Sequence, residues 1–314
     1  MTTPDRTIAL GTLAFGTTVD EPLSFAILDR FAELGGTVLD TANNYAYWVE
    51  GGTGDESEIT VGNWLARRGV REDFVISTKA GGRPAASGTG PGPGGTEGLS
   101  AKAIRSAAED SLRRLRTDRI DVYWSHVEDR GVPLAETVGA LAALVDEGKA
   151  AELGVSNHAV WSVERARALA GDRPRYTHLQ YRHSYLQPRF DIPLPSSGHR
   201  HVTPELLDYV GAEGDLRLWV YSALLSGGYA RKDVALPAAY DHPGTGPRLA
   251  ALREVADELG ASVNQTVLAW LLDGDPAALP IVGVSSVAQL EEAMGSLALR
   301  LDDDQRRRLD SAGR

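Results

Sequence analysis

The chain has 314 residues, 42% of them hydrophobic and 24% charged, which suits one large soluble domain or two smaller ones. It contains no cysteine, so disulfides, thiolate metal sites and thiol catalysis are all excluded. The net charge of −11, from 32 basic and 43 acidic side chains, argues against nucleic acid as the main partner, because phosphate binding draws on clustered positive charge.

The N-terminus, MTTPDRTIAL, carries an acidic residue and a proline and lacks a long apolar run. It does not read as a signal peptide, and no stretch of 18 apolar residues is present to span a membrane. The expected location is the cytoplasm. Short β-branched or apolar runs predict strands at 12–15, 37–40, 74–78, 121–125, 152–155, 177–181, 218–222 and 280–284. Between them, apolar residues recur at three and four, predicting helices near 21–34, 55–68, 101–115, 134–147, 160–170, 204–211, 248–271 and 287–297. A break near Gly260 divides the penultimate segment, and 302–309 reads as a short terminal helix. In SLRRLRTDRID the arginines 113, 114, 116 and 119 alternate with leucines, as on the outer face of a helix rather than a phosphate stripe. Eight strands alternating with helices predict an all-parallel sheet closed as a (β/α)8 TIM barrel, and the lack of a mid-chain linker favours a single domain over 1–314.

Three connections are long. Residues 45–55 carry Tyr47, Trp48 and Glu50. Residues 81–98 are rich in glycine and proline. Residues 185–201 hold Pro188, Phe190, Pro193, Pro195, His199 and His201. All three leave the carboxyl ends of strands, the face on which such a barrel places chemistry.

Asp40, Lys79 and His126 stand at three successive strand ends, and Tyr45 follows Asp40 by five residues. Each has a plain structural reading: a turn cap, a lysine reaching solvent, a satisfied buried imidazole. Their joint placement favours chemistry. Hydride arriving at a carbonyl carbon leaves an alkoxide, so a proton donor must stand at the oxygen. A phenol beside an ammonium becomes a better donor, provided the ammonium is held by a counterion. Tyr45, Lys79 and Asp40 form such a relay, and His126 would orient the carbonyl oxygen or share the proton transfer.

The segments LGGTVLDTANNYA, FVISTKAG, LRRLRTDRIDVYWSH, GKAAELGVSNHAV, HLQYRHSY, WVYSALLSGGYA and LPIVGVSSVAQLEE occur in an order and spacing that resemble the aldo-keto reductase family over essentially the whole chain. The resemblance implies a β/α barrel, bound NADPH or NADH, and transfer of the pro-R hydride to a small-molecule aldehyde or ketone. It puts the catalytic set on Asp40, Tyr45, Lys79 and His126. It implies that Ser156, Asn157 and Gln180 hold the nicotinamide carboxamide and that Tyr221 stacks on the ring. By the same resemblance Ser222, Leu224, Ser226, Gly227 and Gly228 surround the pyrophosphate, where Arg231 either adds a charge or is a surface residue. Gly283, Ser285, Ser286, Gln289 and Glu292 fall at the adenosine ribose. Many NADPH-preferring members have a lysine and an arginine where this chain has Gly283 and Gln289, so NADPH is the expected cofactor with NADH open. The family's leading strand pair is abbreviated, and the segment after Tyr45 is an insertion.

Tyr47 and Trp48 either line the substrate mouth or pack the insertion onto the rim. His178, alternating with Gln180, faces the barrel interior without an evident catalytic role, and no compact set of histidines suggests a metal. Two other functions stay open on the same fold: an NAD-dependent sugar or polyol dehydrogenase, and a non-catalytic cofactor-binding subunit like the family's potassium-channel-associated members.

Overall fold

A computed structural model describes residues 6–85, 90, 95–194, 198–231 and 233–313. Residues 86–89 and 91–94 of the glycine-rich connection, and Pro195 of the connection after the sixth strand, lie outside the described residues.

Eight parallel strands close into a barrel in chain order: β1 (Ala9–Gly11), β2 (Val38–Asp40), β3 (Val75–Ala80), β4 (Ile120–Ser125), β5 (Ala150–Ser156), β6 (Tyr176–Arg182), β7 (Arg217–Tyr221) and β8 (Ala278–Gly283). The helices α1 (Glu21–Glu33), α2 (Glu56–Arg68), α3 (Ala101–Leu115), α4 (Leu134–Asp146), α5 (Val160–Ala170), α6 (Pro204–Glu213), α7 (Thr245–Leu259), α8 (Val263–Leu272), α9 (Val287–Gly295) and α10 (Asp303–Ser311) lie between or after them. The helices start where small polar side chains satisfy free backbone N–H groups. Asp20 accepts from Leu23 N at 2.9 Å, and Ser262 with Gln265 closes a reciprocal cap at α8. The division between α7 and α8 falls at Gly260, which ends α7 in the left-handed conformation.

One strand lies earlier than its sequence suggests. TLAF at 12–15 looks like the first strand, yet the ladder uses Ala9–Gly11. Thr12 still donates its N–H to Asp40 O at 3.0 Å, but Phe15 then turns back on Thr12. Its apolar character serves burial in a turn, not pairing. Among the described residues no strand precedes β1.

Both faces of the sheet are covered, so strand residues are buried almost throughout. Towards the helices lies a continuous aliphatic core. The barrel interior is filled by Ala9, Val38, Val75, Val122, Ile281 and two tryptophans, Trp124 and Trp219. The tryptophan rings meet edge to face at 5.3 Å. Gly154 makes this possible, because a Cβ there would fall 2.2 Å from the Trp124 ring. His178 completes the plug: it accepts from Trp219 Nε1 at 3.0 Å and meets Glu152 at 2.7 Å on its other nitrogen. Its interior orientation is as expected, and its partners are structural.

Candidate active site

The carboxyl ends of β2, β3 and β4 are neighbours, and they bring the candidate set together. Lys79 is wholly buried and uses its three donors on Asp40 Oδ2 (2.7 Å), Thr41 O (2.7 Å) and Tyr45 OH (2.8 Å). Tyr45 OH in turn donates to Asp40 Oδ2 at 3.1 Å. The other carboxylate oxygen accepts from Ser77 Oγ at 2.6 Å and from Gln180 Nε2 at 3.2 Å. Ser77 is itself held by Trp124 Nε1 at 3.0 Å. A buried ion pair with every lone pair and proton occupied is a rigid arrangement. Ser77 is an addition to the expected set; it lies two residues before Lys79 on β3, on the same strand face, and that alternation is its sequence signal.

His126 stands beside the phenol, its ring edge-on to Tyr45 at 6.3 Å. Its Nδ1 is buried without a hydrogen-bond partner among the described residues. Gly82 leaves room for it, because a Cβ there would sit 2.9 Å from that nitrogen.

Electrostatics in this cluster run partly against the sequence expectation. Burial, and then the Asp40 carboxylate, push the Tyr45 phenol well above its ordinary value rather than below it. The expectation counted the ammonium but not the anion that shares the site. Burial lowers Lys79 against the opposing pull of Asp40. Burial and the Lys79 charge lower His126 well below the usual imidazole range, so the ring is neutral. At rest the cluster is thus a protonated phenol and a neutral imidazole around one ion pair.

The residues expected at the nicotinamide carboxamide are adjacent but engaged with one another. Ser156 donates to Gln180 O at 2.9 Å. Asn157, at a left-handed φ of 60°, donates to Ser156 Oγ (2.9 Å) and His126 O (3.3 Å). Its Oδ1 accepts from Tyr221 OH (2.8 Å) and Arg200 N (3.0 Å). With both donors and both lone pairs in use, Asn157 can take a new partner only by exchange. His199 lies against the same tyrosine, with Nδ1 2.8 Å from the hydroxyl. Because Tyr221 gives its proton to Asn157, His199 Nδ1 must be the donor, which leaves Nε2 as an acceptor. In sequence the 198–201 segment is only part of a long connection. Nothing in its composition marks it as a strap over β5 and β7, because that role depends on where a loop folds back.

Beyond Tyr221, Ser222, Leu225, Ser226 and Gly227 all have positive φ, which gives a tight turn containing Leu224. Within it Leu225, Gly227 and Gly228 give their N–H groups to the carbonyls of Ser222, Leu224 and Leu225 at 2.9–3.1 Å, so the turn is closed on itself. Arg231 is exposed and paired with Asp233 at 2.5 Å, the surface reading. At the far end, Gly283 closes β8 and Ser286 caps α9, accepting from Gln289 N at 3.3 Å. Gln289 Oε1 accepts from Ser285 N at 2.8 Å, and Glu292 accepts from Ser262 Oγ at 2.6 Å. Glu292 is therefore partly committed to tying α9 to α8. Tyr47 and Trp48 are 43% and 57% exposed and meet each other edge to face at 5.1 Å, so burial under the insertion is not what holds them.

Just outside the cluster, burial lowers His158 to about 4, and it lowers His183 and His201 to about 4 as well. A folded value below the unfolded one gives stability that is full above about pH 6.5 and lost as pH falls towards 4. The urea midpoint is expected to drop between pH 7 and 4.5, and to drop less in His158→Gln. A midpoint unchanged over that range would contradict neutral buried histidines.

Comparison with known proteins agrees with this architecture. A family model described as "Aldo/keto reductase family" matches residues 7–314. A norsolorinic acid reductase of Emericella nidulans is 32% identical over 95% of this chain and 76% of its own. An uncharacterised oxidoreductase of Bacillus subtilis is 31% identical over 95% and 89%. Among solved structures, an aldo-keto reductase from Klebsiella pneumoniae in complex with NADPH superposes with a TM-score of 0.71, at 25% identity over 97% of this chain and 89% of that one. The chain belongs to the aldo/keto reductase family.

Proposed function

We propose that this chain is an NADPH-dependent reductase converting an aldehyde or ketone to an alcohol, with Tyr45 as proton donor. The observation that carries the reading is Lys79 Nζ held between Asp40 Oδ2 and Tyr45 OH, at 2.7 and 2.8 Å. The dinucleotide, when bound, supplies the hydride. The chain's own groups supply the rest. The neutral His126 offers a hydrogen bond to the carbonyl oxygen. The Tyr45 hydroxyl swings from its long contact with Asp40 to that oxygen and gives up its proton. An alkoxide is far more basic than a phenolate, so a raised phenol still donates to it. Lys79, already bonded to the phenol oxygen, stabilises the phenolate as it forms, and Asp40 holds Lys79 in place.

Residues suited to the cofactor are present: Gln180, whose amide nitrogen is held by Asp40, the Tyr221 ring, and the N-terminus of α9. Asn157 fits after exchanging Arg200 or Tyr221 for the carboxamide. NADH is the second reading, favoured by Gln289 standing in the first turn of α9 and accepting from Ser285 where a cation for a 2′-phosphate would serve. With Tyr47 and Trp48 at the rim, the substrate is a small carbonyl compound met in the cytoplasm.

Titrating the protein with NADPH and NADH by fluorescence, then following NADPH consumption with a panel of aldehydes and ketones, tests the assignment. Saturable binding and turnover of at least one carbonyl are expected. Binding without any turnover would leave a cofactor-binding subunit instead.

A further inference from the structure

Among the described residues, Arg182 is a cation without a counterion. Three other arginines that reach into the protein are paired with carboxylates: Arg71 with Asp121 at 2.7 Å, Arg114 with Glu58 at 2.6 Å, and Arg167 with Asp215 at 2.7 Å. Among the described residues no carboxylate pairs with Arg182 and no group accepts from its buried Nε. It ends β6, level with Tyr221 on β7. Along β6, His178 and Gln180 reach the barrel interior, and Arg182 is the next residue of that row, at the mouth. The groups around it are neutral. Its side chain bonds Tyr240, and its charge helps lower His199 and His201. A half-buried guanidinium with an idle donor is unfavourable unless an anion arrives to meet it.

We propose that Arg182 is an oxyanion seat at the barrel mouth, filled by a carboxylate or phosphate oxygen that a bound ligand brings. This rests on the reductase reading for the choice of ligands. Two sources carry that chemistry: a phosphate of the dinucleotide, whose expected turn begins beside Arg182 at Ser222, and an acidic group on the carbonyl substrate. A guanidinium supplies two charge-assisted hydrogen bonds to either.

The test compares the full-length parent with Arg182→Gln and Arg182→Lys. Without ligand, Arg182→Gln is expected to melt at or above the parent temperature, because an unpaired charge has been removed. At equal ionic strength, inorganic phosphate should raise the parent's melting temperature over chloride, and should not do so for Arg182→Gln. Ligand binding should weaken by about tenfold or more in one of two patterns. A cofactor phosphate shows as a higher Kd for NADPH and NADH together, or for NADPH alone. A substrate carboxylate shows as a higher KM for 4-carboxybenzaldehyde, with its neutral methyl ester unaffected. Arg182→Lys should retain part of either effect. Ligand constants within twofold of the parent throughout, or a lower melting temperature with every ligand weakened alike, would overturn the seat. A parent that binds no nicotinamide dinucleotide defeats the reductase reading instead, and the phosphate arm then decides on Arg182 by itself.

Discussion

Tyr45→Phe is expected to lower turnover of a carbonyl substrate about 10²–10⁴-fold, the usual worth of a positioned proton donor, while leaving the Kd for NADPH within a factor of about two. The substitution removes one oxygen and little else. Asp40 keeps Lys79, Ser77 and Gln180, so the ion pair survives. Lys79 loses one of three acceptors, and an unpaired buried donor costs about 1–3 kcal/mol, a modest fall in melting temperature. Stopped-flow measurement of the hydride step against direct cofactor titration separates the two effects. If the hydride step were unchanged, the proton would come from His126 or from water, and Tyr45 would be a structural clasp on Lys79.

The same substitution bears on the sign of the phenol's shift. Since burial and Asp40 raise Tyr45, the group should remain protonated through the neutral and mildly alkaline range. Its loss should therefore lower the rate by a similar factor from pH 6 to 9, without removing a limb of the profile.

Much of this site can be found in the chain because its parts repeat a strand rule. Asp40, Lys79 and His126 each follow a short β-branched run, and alternation puts Ser77 on the face of Lys79 and His178 on the face of Gln180. The acid–base set is therefore readable from local pattern, as is the barrel itself, since eight strand-helix units leave few other ways to cover both faces of a parallel sheet. What local pattern misses depends on distant geometry. TLAF at 12–15 has strand composition, yet pairing is decided by the neighbours β2 and β8, and they meet Ala9–Gly11. The strap by which His199 and Arg200 engage Tyr221 and Asn157 comes from a loop with no period at all. The direction of the Tyr45 shift required knowing that Asp40 touches the phenol as well as the lysine, a contact fixed by how tightly residues 41–45 turn.

Lys79→Met should be the most damaging change in the molecule, in two separable ways. Turnover should fall at least as far as for Tyr45→Phe, because the phenolate loses the charge that stabilises it and the phenol loses its orientation. Stability should also fall, by about 3–5 kcal/mol, since removing one partner leaves the Asp40 carboxylate buried and uncompensated. Asp40→Asn alone should be damaging for the mirror reason, stranding a buried ammonium. The two together remove both charges, so Asp40→Asn/Lys79→Met is expected to recover much of the melting temperature lost by Lys79→Met and none of its turnover. Ser77 and Gln180 assist the recovery, because an asparagine oxygen can still accept from both. Thermal melts of the three variants, with single-turnover assays in parallel, measure the coupling directly. A double variant no more stable than Lys79→Met would mean that the packing of the lysine stem, not the meeting of two charges, is what Lys79 contributes to the fold.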